Sequence, residues 1–161
     1  MLTHIDPYSV ADCSEAIVAK EINTSIEINA PAEAVWQVLI NFSCYAQWNP
    51  FIRSIQGEAR QGATLEVFIQ PPGRNGMTFR PIILALEPGR ELRWIGRLLL
   101  PGIFDGEHQF QLEPIGGNRT KFVHREVFSG LLVPFLWSSF AQPTRQGFEE
   151  MNGALKAQVE P

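Results

Sequence analysis

Phe104-Asp105-Gly106-Glu107-His108-Gln109-Phe110-Gln111-Leu112-Glu113 alternates in chemistry from one residue to the next. In an extended chain Phe104, Gly106, His108, Phe110 and Leu112 fall on one side, and Asp105, Glu107, Gln109, Gln111 and Glu113 on the other. One face is therefore interior, and a histidine lies in its row. After Gly116-Gly117-Asn118 comes a second run, 119–128. Its side with Phe122, His124, Glu126 and Phe128 carries more aromatic bulk than the side with Lys121, Val123, Arg125 and Val127, so the first is taken as inward. Two such runs joined by a glycine-rich turn predict an antiparallel hairpin.

A turn centred on Gly116 pairs Phe110 with Phe122, His108 with His124 and Gly106 with Glu126. The preceding turn, around Pro101, sets Trp94 beside His108 and Gly96 beside Gly106. Three interior rows follow. Leu92, Phe110 and Phe122 form a floor; Trp94, His108 and His124 a middle row; Gly96, Gly106 and Glu126 an outer row, where the glycines leave room for a guest molecule. A two-residue change of register would shift the rows and still leave both histidines and Glu126 on one wall.

That cluster has four readings: a hydrogen-bonded network that fixes packing, a pocket whose polar groups orient a ligand, acid–base catalysis by Glu126 with His124 or His108, and a two-histidine-one-carboxylate metal site. Desolvation would raise the Glu126 pKa toward a useful value. Opposed strand positions give no independently fixed metal geometry, so neither a metal nor a cofactor is expected. No Gly-x-Ser-x-Gly, phosphate loop or nucleotide fingerprint is present.

Working outward, residues 21–29 alternate, with Ile22, Thr24, Ile26 and Ile28 on one face, and predict a half-buried strand. Pro31 opens a helix with an apolar stripe at Val35, Trp36, Val38 and Leu39, and a short helix or turn near Phe42–Gln47 ends at Trp48-Asn49-Pro50. Strands are predicted near 52–60, 64–70, 77–86, 91–98, 104–113 and 119–128, with a bulge or bend at Pro81. The spacing of Phe148, Met151 and Leu155 predicts a long C-terminal helix, which Pro143 should kink or split. The predicted fold class is α+β, one curved seven-stranded antiparallel sheet around that helix. In a meander alternate turns share an end of the sheet. One end collects Pro71–Gly76, Leu98–Ile103 and Ser129–Val133, which are longer than the turns of the other end, the last two strongly apolar, and these loops are expected to fold over the mouth as a lid.

The chain has 161 residues, 45% of them apolar and 19% charged, with a formal charge of −4. One core-rich domain over 19–161 is expected, preceded by an N-terminal extension over 1–18 that contains His4. Scattered basic residues give no footprint for nucleic acid, and no apolar run is long enough to span a membrane. Cys13 and Cys44 lack disulfide or metal-ligand spacing. A cytoplasmic protein, monomer or homodimer, is expected.

The runs Ile28–Trp36, Tyr45–Phe51, Met77–Pro81, Leu92–Trp94 and His124–Leu132 resemble the polyketide cyclase/dehydrase-like branch of the SRPBCC (START-like, helix-grip) superfamily, in matching order over about residues 20–159. The resemblance implies a deep apolar cavity between sheet and C-terminal helix, and Trp36, Trp48, Asn49 and Pro50 look like fold-defining positions. It transfers no universal catalytic residue, because members range from aromatic polyketide cyclases to lipid and sterol carriers. The cavity is expected to use Trp94, Phe79, Phe110, Phe122, Phe128 and Leu98. Leu100, Phe104, Phe148 and Met151 complete the expected lining. The leading functional expectation is binding of a small hydrophobic or aromatic molecule, lipid-like or polyketide-like. The alternatives are a cyclase, dehydratase or hydrolase acting through Glu126, His124 and His108, and an interaction module docking through Leu98–Leu100.

Overall fold

The computed structural model describes residues 19–160; the extension with His4 and Cys13 lies outside them. Chain order is β1 (Lys20–Ile28), α1 (Ala32–Ile40), a 3-10 turn (Phe42–Cys44), α2 (Tyr45–Trp48), β2 (Ile52–Gln56), β3 (Glu66–Ile69) and β4 (Met77–Phe79). β5 (Ile82–Glu87), β6 (Glu91–Leu98), β7 (Phe104–Gly116), β8 (Arg119–Ser129) and α3 (Val133–Val159) follow. The expected α+β architecture is present, with one correction. Instead of a single seven-stranded sheet there is a five-stranded sheet, β1-β8-β7-β6-β5, and a three-stranded one, β2-β3-β4.

Pro81 marks the division. The run predicted as one strand over 77–86 becomes β4 and β5 on either side of it, because proline has no N–H to give the ladder. Its carbonyl still accepts from the Leu65 amide at 2.8 Å, and Gly62 and Ile83 donate to the Ile83 and Ala63 carbonyls at 2.8 and 3.0 Å. Residues 62–65 thus stitch the two sheets together at their seam.

Ahead of β2, the fully buried Asn49 side chain accepts from the amides of Phe51 and Ile52 at 3.0 and 2.8 Å, which turns the chain out of α2 into the strand. The Tyr45 hydroxyl donates to the Leu39 carbonyl at 2.7 Å and ties α2 to the end of α1. The Leu39 carbonyl is one that the end of α1 leaves unpaired, and the Phe51 and Ile52 amides belong to the turn into β2; side chains satisfy all three.

The β7–β8 hairpin is shifted from the expected register. Gly117 and Asn118 both have positive φ, 60° and 59°, so the turn is a two-residue loop centred one position later than Gly116, and a bulge follows at Pro114/Gly116. His108 consequently pairs with Glu126, Phe110 with His124 and Gly106 with Phe128. The β6–β7 pairing, Trp94 with His108 and Gly96 with Gly106, is as predicted.

α3 packs on β1, β8 and α1 through Phe148, Met151, Asn152 and Leu155. Full burial of a Phe, Met or Leu side chain is worth about 1.5–3 kcal/mol. Pro143 does not split this helix, contrary to one of the two expected outcomes. A proline leaves the carbonyl four residues earlier without its helical partner. That carbonyl belongs to Ser139, and the Arg74 guanidinium, from the β3–β4 loop, donates to it at 3.3 Å. Among the described residues no helix is long and apolar enough to cross a membrane.

Two helical glycines separate steric from conformational effects. A Cβ on Gly147 would overlap the Phe51 ring, whereas one on Gly153 meets nothing within 4 Å. Gly147→Ala is expected to cost roughly 1–3 kcal/mol in urea unfolding through overpacking. Gly153→Ala, in the same helix, is expected to add roughly 0.5–1 kcal/mol.

Candidate functional site

A cavity of about 290 Å³ opens at the seam of the two sheets and is closed behind by α3. Its apolar walls are Val67 and Ile69 on β3, Phe79 on β4 and Pro81. From the larger sheet come Trp94, Gly96 and Leu98 on β6, Phe104 and Gly106 on β7, and Phe128 on β8. Leu136, Phe140 and Thr144 on α3 complete it. Gly96 leaves open volume here, since a Cβ there would have its nearest neighbours at 4.0 Å. At Gly106 the missing Cβ serves a different end, because one would stand only 2.5 Å from Glu126 Oε1. The space cleared at Gly106 is occupied by the carboxyl group.

The shifted register puts Trp94, His108 and Glu126 in one row across three strands. His108 and Glu126 reach the cavity, and His108 Nδ1 stands 3.6 Å from Glu126 Oε2. His124 does not line the cavity; it lies one row deeper, fully buried, with its Nε2 at 2.6 Å from His108 Nε2. The His124 ring stacks on Phe148 of α3 with centroids 3.7 Å apart and planes 8° from parallel. On its far side Nδ1 meets Asn152 Oδ1 at 3.0 Å, while Asn152 Nδ2 donates to Thr24 Oγ1 at 2.9 Å. A file of polar groups thus runs from the cavity along the inner face of the sheet to α3 and β1, hydrogen-bonded from His108 to Thr24.

Burial sets the charge state of this file. It pushes the Glu126 carboxyl up to about 8. The His124 pKa falls to about 3, burial outweighing the opposing hydrogen bonds to Asn152 and the Phe148 carbonyl. His108 is held well below the usual range by burial, reinforced by His124. At neutral pH the row therefore consists of two uncharged imidazoles and a protonated acid. His108 Nδ1 has no hydrogen-bond partner in the protein. The two facing imidazole nitrogens are bonded to each other, and among the described residues no group of three histidine, cysteine or acidic side chains is placed to hold a metal ion.

Of the residues expected at the cavity, Trp94, Phe79, Phe128, Leu98 and Phe104 line it. Phe110, Phe122, Phe148 and Met151 are buried beneath the wall as packing. Leu100 does not reach the cavity: it is 68% exposed, with Leu99 and Leu131 similarly exposed beside it. Of the three loops expected to cover the mouth, Pro71–Gly76 contributes Pro71 and Asn75 to the lining and Leu98–Ile103 contributes Leu98, whereas Leu99, Leu100 and Leu131 are turned outward. Leu99 has φ 70°, which takes the chain away from the strand direction immediately after Leu98. Cys44 is a partly buried free thiol. Asn152 was missed by sequence reasoning. Its signal is a polar residue on the apolar stripe, at i+4 from Phe148 and three residues before Leu155.

The two kinds of titratable group bend stability in opposite directions with pH. Glu126 deprotonates near 4.3 in an unfolded chain and near 8 when folded, so its contribution is full below about pH 4.3 and drains away as pH rises to about 8. The histidines take protons near 6.5 when unfolded and resist them when folded, so their contribution is full above that pH and is lost on acidification, that of His124 toward about 3. Urea unfolding of Glu126→Gln is expected to lose the decline between pH 5 and 8 and to keep the decline below pH 6. An unchanged slope above pH 5 would show that Glu126 does not hold its proton.

Among solved structures, the Zhui aromatase/cyclase from Streptomyces sp. R1128 superposes with a TM-score of 0.70 at 18% identity, covering 89% of this chain and 94% of that one. A START superfamily protein from Mycobacterium smegmatis gives 0.67 at 22% identity, covering 87% and 97%. Norcoclaurine synthase from Thalictrum flavum, in complex with dopamine and hydroxybenzaldehyde, gives 0.69 at 14% identity, covering 99% and 94%. At these identities the likeness is one of fold. No curated protein sequence matches the chain. The family model described as polyketide cyclase/dehydrase and lipid transport matches residues 19–160, the whole of the described chain, and this protein belongs to that family.

Proposed function

We propose that this chain binds a small hydrophobic or aromatic molecule in the cavity between its two sheets and α3. The observation that carries the proposal is the combination of an open volume of about 290 Å³ with walls that are apolar on nearly every side. Transfer of apolar ligand surface out of water supplies the driving force, at about 25 cal/mol per Å² buried. Trp94, Phe79, Phe104 and Phe128 give the walls an aromatic lining suited to a flat guest, and Glu126 with His108 gives it one polar anchor. Lipid-like and polyketide-like molecules both suit such walls. The aromatic compounds in the norcoclaurine synthase complex make phenolic rings a sensible starting panel.

Thermal-shift screening and native mass spectrometry against fatty acids, sterols and aromatic polyketides test this. A bound compound at 100 times its Kd is expected to stabilise the fold by about 2.7 kcal/mol. Gly96→Phe, which fills the open volume at the wall, is expected to abolish the shift while leaving the unliganded protein folded. A panel without a single shift, with Gly96→Phe behaving like the native chain, would remove the basis of the proposal.

A second reading, acid–base chemistry of the cyclase or dehydratase kind by Glu126 with His108, is favoured by one observation. A carboxyl pushed up to about 8 on a cavity wall is matched to proton transfer near neutral pH. For a substrate emerging from the panel, Glu126→Gln is expected to lower kcat by about 10²–10⁴. Full turnover in that variant would leave binding as the sole role.

A further inference from the structure

The hydrogen bonds behind the cavity wall have a direction, and it can be read from Thr24. The Thr24 hydroxyl lies 3.3 Å from the His124 backbone carbonyl, which can only accept, so the hydroxyl gives its single proton there. It must then accept from its other partner, and Asn152 presents Nδ2 to it at 2.9 Å. That orientation turns Asn152 Oδ1 toward His124, where it can only accept. His124 therefore carries its proton on Nδ1 and leaves Nε2 as an acceptor. At 2.6 Å the facing His108 Nε2 must be the donor, because two bare lone pairs would repel. The His108 proton is thus on Nε2, and its Nδ1, buried and unpartnered, is an acceptor facing Glu126 Oε2. Within this file the one group able to satisfy it is the acid hydroxyl of Glu126, after closing the 3.6 Å gap to hydrogen-bond length, about 2.7 Å.

We propose that Asn152 is a positioning residue that polarises a chain running from Glu126 through His108 and His124 to Asn152, so that Glu126 turns its hydroxyl inward and offers the cavity only an acceptor oxygen, selecting neutral ligands that bring a hydroxyl or N–H donor. The inference rests on the cavity being a ligand site, as proposed above. Glu126 Oε1 is the oxygen left facing outward from the chain, over the space that Gly106 keeps free of a Cβ. An acceptor-only ligand group would meet that oxygen lone pair to lone pair in an apolar enclosure, where an unmatched polar group is costly. A carboxylate ligand is disfavoured twice, by the cost of burying its unpaired charge in an apolar enclosure and by its lack of a donor.

The test pairs two flat probes that differ in a methyl group replacing the hydroxyl proton, 2-naphthol and 2-methoxynaphthalene, with calorimetric titration and imidazole ¹⁵N spectra of the full chain. The naphthol is expected to bind about tenfold tighter than the ether or more. The spectra should show His124 protonated at Nδ1 and His108 at Nε2. Asn152→Leu removes the side-chain acceptor of His124 and leaves only the Phe148 carbonyl to hold that tautomer; it is expected to raise the share of His124 protonated at Nε2 and to shrink the naphthol preference to about threefold or less. A role for Asn152 in packing alone would weaken both probes equally and leave the tautomers in place. Equal binding of the two probes, or His124 carrying its proton on Nε2 in the native chain, overturns the inference while leaving the cavity as a binding site. Binding of neither probe overturns the inference, while the panel and the Gly96→Phe variant decide separately whether the cavity binds a ligand. If Asn152→Leu fails to fold, the spectra and the two affinities of the native protein decide alone.

Discussion

Two uncharged imidazoles, joined nitrogen to nitrogen at 2.6 Å and pressed against Phe148, form the joint on which the rest of this molecule depends. They are on adjacent strands of the larger sheet and one of them is bonded to α3, so the sheet, the long helix and the back of the cavity meet at one point. A charged imidazole could not occupy that place, because desolvation would not be repaid by any carboxylate in contact with His124. Neutrality in turn makes the pair dependent on correctly directed hydrogen bonds. Asn152, a polar residue on an otherwise apolar helix stripe, supplies the last of them.

With the back wall anchored in this way, the front is kept open by interruptions of regular structure. Pro81 withholds a ladder hydrogen bond and divides the strands into two sheets, and the cavity lies along the seam. Gly96 removes side-chain volume from the wall, while Gly106 lets the Glu126 carboxyl stand over the strand. Pro143 leaves a helix carbonyl free beside the cavity, and Arg74 reaches across from the β3–β4 loop to use it. Each of these lowers local regularity, and each falls at the hollow and not in the packed floor below it. Consistency elsewhere and rule-breaking at the site is the pattern expected where a fold gives up some stability to make a binding space.

The outward charges behave differently. Arg93 bridges to Glu91 and Glu107 at 3.1 and 3.0 Å, and Arg125 to Glu21 at 2.9 Å, all on the face of the sheet away from the helix. Such partly exposed pairs are worth about 0–1 kcal/mol each. Their main effect is to mark that face as the wet one. The alternation of residues 104–113 depends on the same division, which is why it is visible before any coordinates are known.

The sequence by itself determined the order and approximate place of the strands and helices, which face of β7 and β8 points inward, and that His108, His124 and Glu126 share one wall. These follow from side-chain periods of two and 3.6 residues, a local property of the chain. It did not determine who stands beside whom. A two-residue turn at Gly117-Asn118 and a bulge at Pro114/Gly116 moved Glu126 next to His108 and sent His124 a row deeper, and both depend on how the hairpin closes. Nor did it separate Phe79, Phe104 and Phe128, which line the hollow, from Phe110, Phe122 and Phe148, which lie under it, since all are apolar and all face in. The outward turn of Leu99 and Leu100, the unbroken course of α3 through Pro143 and the meeting of Asn152 with His124 were likewise settled only when distant segments packed together, because each is a contact between residues far apart in the chain.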